Sequence, residues 1–376
     1  MKRFIPAITL LVSLSLESSL HAGWGSKKDK TAPKNTSADT QPAVKTPGFN
    51  LEDNRSGFVE LDYLFWRPQM EDCFFAMKNT PFRDGTLIGS SKLKQPNFDL
   101  SSGVRLGVGG FTSDSWDVGL KGTYLFSDAN KKTNAEGSLA TGLVLPQWMR
   151  ELGTGTKGSA HWKMNFYTLD LSFGREYFMT KKFAVHPFIG LRGFHIKQSL
   201  HDHYHSIFQA TINDPLVAAT TKFRAKQSLW GVGPRLGMDL SFYFVQEWAF
   251  LGGFSGSLLY TRSKIKEKMF GQHFVSPNTT TSPFNIFVKD KDTFGRANLD
   301  VYFGMGWDRW FNQGKQRVSL SLLFEGSQWF QMNQWVDIDT ANFDSTVPHS
   351  NASILETKRH GDLSFIGGTV RLGIDF

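Results

Sequence analysis

From Gly57 to Phe376 the chain alternates apolar and polar residues with a period of two, in segments separated by gaps that are short and long in turn. Successive side chains of a strand point to opposite faces, so each segment is a strand with one apolar and one polar side. In the first, Val59, Leu61, Tyr63 and Phe65 share one face and Glu60 and Asp62 the other. The pattern recurs with Val104, Leu106 and Val108 against Arg105, with Val118, Leu120 and Tyr124 against Asp117 and Lys121, and with Tyr167, Leu169, Leu171 and Phe173 against Asp170. Val185, Ile189 and Leu191 then oppose Arg192, and Val232, Leu236, Met238 and Leu240 oppose Arg235 and Asp239. A weaker segment from Phe250 to Tyr260 has Ser255 and Ser257 on its polar face. The last three set Leu299, Val301, Phe303 and Met305 against Asp300, Val318, Leu320, Leu322 and Phe324 against Glu325, and Val370, Leu372, Ile374 and Phe376 against Arg371 and Asp375. Each of these ten segments can cross a membrane as a tilted strand of about 9–11 residues.

The gaps carry the topology. Short turns fall at 112–115, 175–182, 243–247 and 311–316, and long loops around 68–97, 127–160, 198–226, 263–293 and 331–361. Short turns at one end and long loops at the other are the organisation of an outer-membrane barrel, with the periplasm on the short side. The expectation is therefore an all-β, antiparallel transmembrane barrel of about ten strands (range 8–12) with both termini in the periplasm. Tryptophans should collect at its two interfaces. Trp66, Trp162, Trp230 and Trp329 lie near the long-loop ends, and Trp116, Trp248, Trp307 and Trp310 near the short-turn ends. Glycines inside the strands, among them Gly103, Gly107, Gly109, Gly231, Gly233, Gly237, Gly304 and Gly306, mark curvature or crowding. A soluble β-sandwich would bury its apolar faces and need no pair of tryptophan belts.

The start of the chain sets the compartment. Lys2 and Arg3 precede an apolar run from Phe4 to Leu16, and Leu20-His21-Ala22 offers a cleavage site, so residues 1–22 read as a signal peptide. Residues 23–56 carry almost nothing to bury and read as a disordered, polar periplasmic leader, leaving 57–376 as the barrel. With 20% charged residues and a mean hydropathy of −0.29, a bundle of membrane helices is excluded. The lone cysteine, Cys73, excludes a disulfide scaffold and is either a free thiol or one that pairs between copies of the chain in a homo-oligomer. A net charge of +8 permits anionic partners without selecting one.

The final segment, Thr369 to Phe376, alternates to a terminal aromatic and resembles the signal by which the barrel-assembly machinery recognises its clients, with Phe376 as the insertion residue. Further stretches carry a wider resemblance: Glu60-Leu61-Asp62-Tyr63-Leu64-Phe65-Trp66, Trp116-Asp117-Val118-Gly119-Leu120, Tyr167-Thr168-Leu169-Asp170-Leu171 with Gly174-Arg175, and Pro187-Phe188-Ile189-Gly190-Leu191-Arg192. To these add the run from Trp230 to Gly237, Gly306-Trp307-Asp308, and Glu325 with Gln328-Trp329 and Asn333-Gln334. In order and spacing they resemble the pore-forming major-outer-membrane-protein-like family described from Legionella and chlamydia-type bacteria. That resemblance spans about Gly57 to Phe376 and implies a porin-like protein with no assigned catalytic residues.

The strand register places Glu60, Asp62, Asp170, Asp300 and Glu325 in the lumen with Arg105, Lys121, Arg192, Arg235 and Arg371. Facing rows of opposite charge would sort ions and small polar solutes in passive diffusion. In a barrel this narrow the same residues could instead pair and fill the interior. A non-channel structural barrel or adhesin with ligand-binding loops is the alternative, and an outer-rim hydrolase a third. His201, His203 and His205 share one side of an extended segment and are the only weak metal candidates, so neither metal nor cofactor is expected. No Walker motif, serine elbow or zinc pair occurs, and neither an enzyme nor a nucleic-acid partner is expected. Lys131, Lys132, Lys264, Lys266 and Lys268 flank the long-loop ends, where phosphates of lipopolysaccharide would lie.

Overall fold

The computed structural model describes residues 48–49, 56–80, 90–112, 116–135, 144–146, 155–208, 217–245, 247–275, 280–311, 316–341 and 353–376. The expected signal peptide and most of the leader lie outside them. Ten strands form the wall: β1 (Gly57–Met70), β2 (Ser101–Phe111), β3 (Trp116–Asn134), β4 (Gly155–Arg175), β5 (Phe183–Phe208), β6 (Val217–Val245), β7 (Trp248–Val275), β8 (Thr280–Phe311), β9 (Gln316–Trp329) and β10 (Leu363–Asp375). Each pairs antiparallel with the next, and β10 pairs with β1, so the sheet closes on itself. Over the height that all ten strands share, closure leaves no wall strand with an unpaired edge, which is what a sheet in hydrocarbon requires. The seam is continued by the terminal carbonyl of Phe376, which accepts the backbone N–H of Gly57 at 2.8 Å.

The period-two pattern becomes an inside and an outside. Val59, Leu61, Tyr63 and Phe65 of β1, Leu169, Leu171 and Phe173 of β4, and Leu320, Leu322 and Phe324 of β9 are all exposed on the outer face. Such a belt of exposed large apolar side chains around a closed sheet needs lipid as its solvent. At Gly190 the wall is tight, because a Cβ there would stand 1.9 Å from the carbonyl oxygen of Leu171.

Two expectations are corrected. Two of the five long gaps are mostly not loops: β5, β6, β7 and β8 run for 26, 29, 28 and 32 residues, so most of 198–226 and 263–293 is strand standing beyond any bilayer-crossing stretch. Gly48–Phe49, within the stretch read as leader, pairs antiparallel with Tyr177–Phe178 at the short-turn end. The second correction concerns tryptophan. Trp248 and Trp310 are exposed at the short-turn end, and Trp116 stacks on outward Phe173 at 4.6 Å, as a girdle should. Of the four expected at the other end, Trp230 is exposed, whereas Trp66, Trp162 and Trp329 are buried inside the barrel. The reason is parity, since Trp66 follows Asp62 by four residues and Trp329 follows Glu325 by four, and all share the inward face.

Candidate functional site

All ten charged residues expected in the lumen face inward, and each is paired. Arg371 grips Asp62 with two bonds of 3.0 and 3.1 Å, and Arg105 bonds Asp62 at 3.0 Å and both oxygens of Glu325 at 3.1 and 2.9 Å. Lys121 pairs with Glu60 at 2.6 Å. Across the barrel, Arg192 holds Asp170 through two bonds of 2.7 Å and also donates to Asp300 and Asn298, while Arg235 lies 3.4 Å from Asp170. Three acids and three bases make the first group and two of each the second, so the layer is neutral. The expected rows facing each other across water are thus replaced by direct ion pairs. The strand register produces this, because Asp62 stands opposite both Arg105 and Arg371, and Asp170 opposite both Lys121 and Arg192.

The layer lines a cavity of about 300 Å³ that reaches Trp66 and Trp329 on one side and, towards the short turns, Phe58, Asp117, His186, Phe188, Asp239 and Tyr302 on the other. His186 bridges two carboxylates, with Nε2 2.6 Å from Asp117 and Nδ1 3.3 Å from Asp239, and Tyr302 donates to Asp239 at 2.8 Å. Sequence reasoning missed His186 and Tyr302 as lumen residues, although His186 shares the parity of Arg192.

Towards the hairpins the layer is roofed by aromatics. Trp66 lies over Arg105 at 5.1 Å and Trp329 over Arg192 at 5.5 Å, and Trp329 packs on Phe166 and Phe194 at 5.3 and 5.0 Å. Two connectors complete this plug. After β1 and β9 the chain turns inward through Asp72 and Gln331, both in the left-handed region at φ 54° and 56°. Cys73, Phe75, Met332 and Trp335 follow, fully buried. They are pinned to the wall: Tyr204 donates to the Phe75 carbonyl, and Gln227 donates to that of Met332 at 3.0 Å. Because Cys73 is a free thiol with no exposed surface, this conformation cannot form the intermolecular disulfide considered from the sequence.

The three histidines share one face of β5, as their spacing predicts. His201 and His205 are exposed on β5, with His203 half-buried beside them, while the intervening Asp202 and Tyr204 point into the barrel, so no His–Asp pair forms within the cluster. Burial and the charge of Arg224 hold the His201 imidazole below its usual range, and burial and His205 do the same to His203. Among the described residues, no group of three or more His, Cys, Asp or Glu could hold a metal ion. The exposed His161–Asp128 pair at 3.0 Å escaped the sequence reading, its members being 33 residues apart.

With this geometry in hand, comparison with known proteins is informative chiefly at the family level. The family described as Legionella pneumophila major outer membrane protein precursor matches residues 53–376. No curated protein matches the chain. Among solved structures, the outer membrane protease OmpT of Escherichia coli is similar at 10% identity and a TM-score of 0.39, covering 89% of this chain and 99% of that one. The Pseudomonas putida toluene transporter TodX is similar at 9% identity and a TM-score of 0.28, covering 85% and 90%.

Proposed function

The chain belongs to the Legionella pneumophila major outer membrane protein family, integral β-barrels of the outer membrane, and on that premise we propose a narrow porin-like channel, shut in this conformation by its own connectors. It would pass ions and small polar solutes by passive diffusion, without covalent chemistry. The observation that carries this reading is the origin of the block. The cavity runs from the short-turn end through the charged layer to the rings of Trp66 and Trp329, and the closure above those wall aromatics is completed by residues 71–76 and 330–336, which link strands and are not wall. Connectors can withdraw without breaking the barrel's hydrogen-bonded ring, whereas wall strands cannot.

The second reading is a filled, non-conducting barrel whose hairpins bind partners. Its support is the neutrality and complete pairing of the ionic layer. Single-channel recording in planar bilayers separates the two. The native protein is expected to show brief, rare steps, and Phe75→Ala/Trp335→Ala to show long-lived steps with mean current raised on the order of fivefold or more, since truncating both rings loosens the roof. Silence from the double variant, with its folded, heat-modifiable migration on gels intact, would establish the filled barrel instead.

A further inference from the structure

On the outer face of the five tallest strands, the apolar band ends in Tyr167, Trp230 and Tyr260, all exposed. Immediately beyond it stand Lys197 on β5, Lys226 on β6, Lys264 and Lys266 on β7, and Lys289 and Lys291 on β8, every one exposed. The ladder sets them directly side by side: Lys226 opposite Lys266, Lys266 opposite Lys289, and Lys264 opposite Lys291. Like charges opposite one another in a sheet destabilise it. Among the described residues, none of these six makes an ion pair with a carboxylate. The acids interleaved on β8, Asp290 and Asp292, are instead bonded to Lys358 at 2.7 and 3.1 Å. A groove of about 430 Å³ lies among Lys197, Lys226, Lys264 and Lys266.

We propose that this belt is a binding site for the phosphate groups of an outer-leaflet glycolipid of the lipid A type. Three observations select that occupant. The uncompensated charge calls for an anion, and phosphate oxygens between neighbouring ammonium groups would turn repulsion into charge-assisted hydrogen bonds. The lysines are continuous with the lipid-facing surface, so an occupant with acyl chains can lie along Trp230, Leu258 and Tyr260 while its headgroup reaches the belt. The belt is also one-sided: β9 ends at Trp329, opposite Asn298, well short of Lys289 and Lys291 on its neighbour β8. A site confined to one flank is built for particular lipid molecules beside it, whether or not the lumen conducts.

The test is binding and thermal unfolding of the refolded protein in zwitterionic detergent, with bisphosphorylated lipid A and its dephosphorylated counterpart as probes. The phosphorylated lipid should bind and raise the melting temperature, and the dephosphorylated one should bind on the order of tenfold more weakly or worse. Lys226→Gln/Lys266→Gln should lose about tenfold or more in affinity for the phosphorylated probe. Without lipid the same variant should melt no lower than the native protein, because a repulsive pair has been removed. Lys181→Gln/Lys182→Gln, which deletes the same charge at the short-turn end, should bind as the native protein does. Equal affinity for the two lipids, or equal losses in the two double variants, would overturn the proposal and reduce the belt to a diffuse positive rim.

Discussion

Replacing Arg192 with methionine should lower the stability of the refolded barrel by about 3–5 kcal/mol, the loss expected when one partner of a buried ion pair is removed. The guanidinium is the hub of its group, holding both oxygens of Asp170 and one of Asp300. Its side chain and that of Asp170 each keep only 6% exposure, so little water can replace the lost bonds. Arg235 remains, but at 3.4 Å from Asp170 and 4.0 Å from Asp300 it is already engaged with both. Midpoints of urea unfolding, followed by the loss of sheet signal, measure the effect. The triple variant Arg192→Met/Asp170→Asn/Asp300→Asn should recover much of it, because the stranded charges are gone. A single variant as stable as the native protein would mean that water screens these carboxylates, and the layer would then be the wall of an open pore.

Trp329→Ala should have an effect of the same size, about 3–5 kcal/mol, by a different route. This side chain is 1% exposed, touches Phe166 and Phe194, and covers the Arg192 guanidinium, while its Nε1 donates to Ser327 at 2.8 Å. Truncation leaves a void beneath the plug that rigid wall strands cannot collapse to fill. Because the ring and the guanidinium share a contact, the losses in Trp329→Ala/Arg192→Met should fall short of additive, by about 0.5–3 kcal/mol. Strict additivity in the same urea series would show that the aromatic and ionic layers are independent.

The wall was legible because one period decides it. Once Glu60 and Asp62 are set against Leu61 and Tyr63, every residue of β1 is assigned a side, and the same holds around the ring. This is why all ten charged residues placed inside from the sequence are found there. The inward tryptophans are equally legible, since parity, and not position along the strand alone, assigns Trp66, Trp162 and Trp329 to the interior. The plug was not, because nothing local in residues 71–76 or 330–336 says that they turn inward. Their course is fixed by distant partners, as when Asn333 donates to the Glu71 carbonyl and Arg359 to that of Asp72. The hairpins read as loops in the sequence because their outward faces become polar beyond the membrane. Lys264, Lys266 and Lys268 still alternate with buried Ile265, Glu267 and Met269, but the apolar signal now points inward.

The two ionic groups look alike in the finished barrel, yet the chain reaches them at unequal entropic expense. Arg192 meets Asp170 across 22 residues of sequence, and Arg371 meets Asp62 across 309. Loop-closure entropy grows by about 0.6 kcal/mol per doubling, so the seam contact is dearer by about 2 kcal/mol before either group gains anything. Local hairpins such as β4–β5 therefore have the advantage in time, and the β10–β1 join is the natural last event. Until it occurs, Asp62 and Arg371 sit on the two bare edges of a curled sheet, charged and without each other. A chain halted at that point would carry the completed half of its interior on one side and, on the other, a pair of sticky margins open to any strand that arrives before its own.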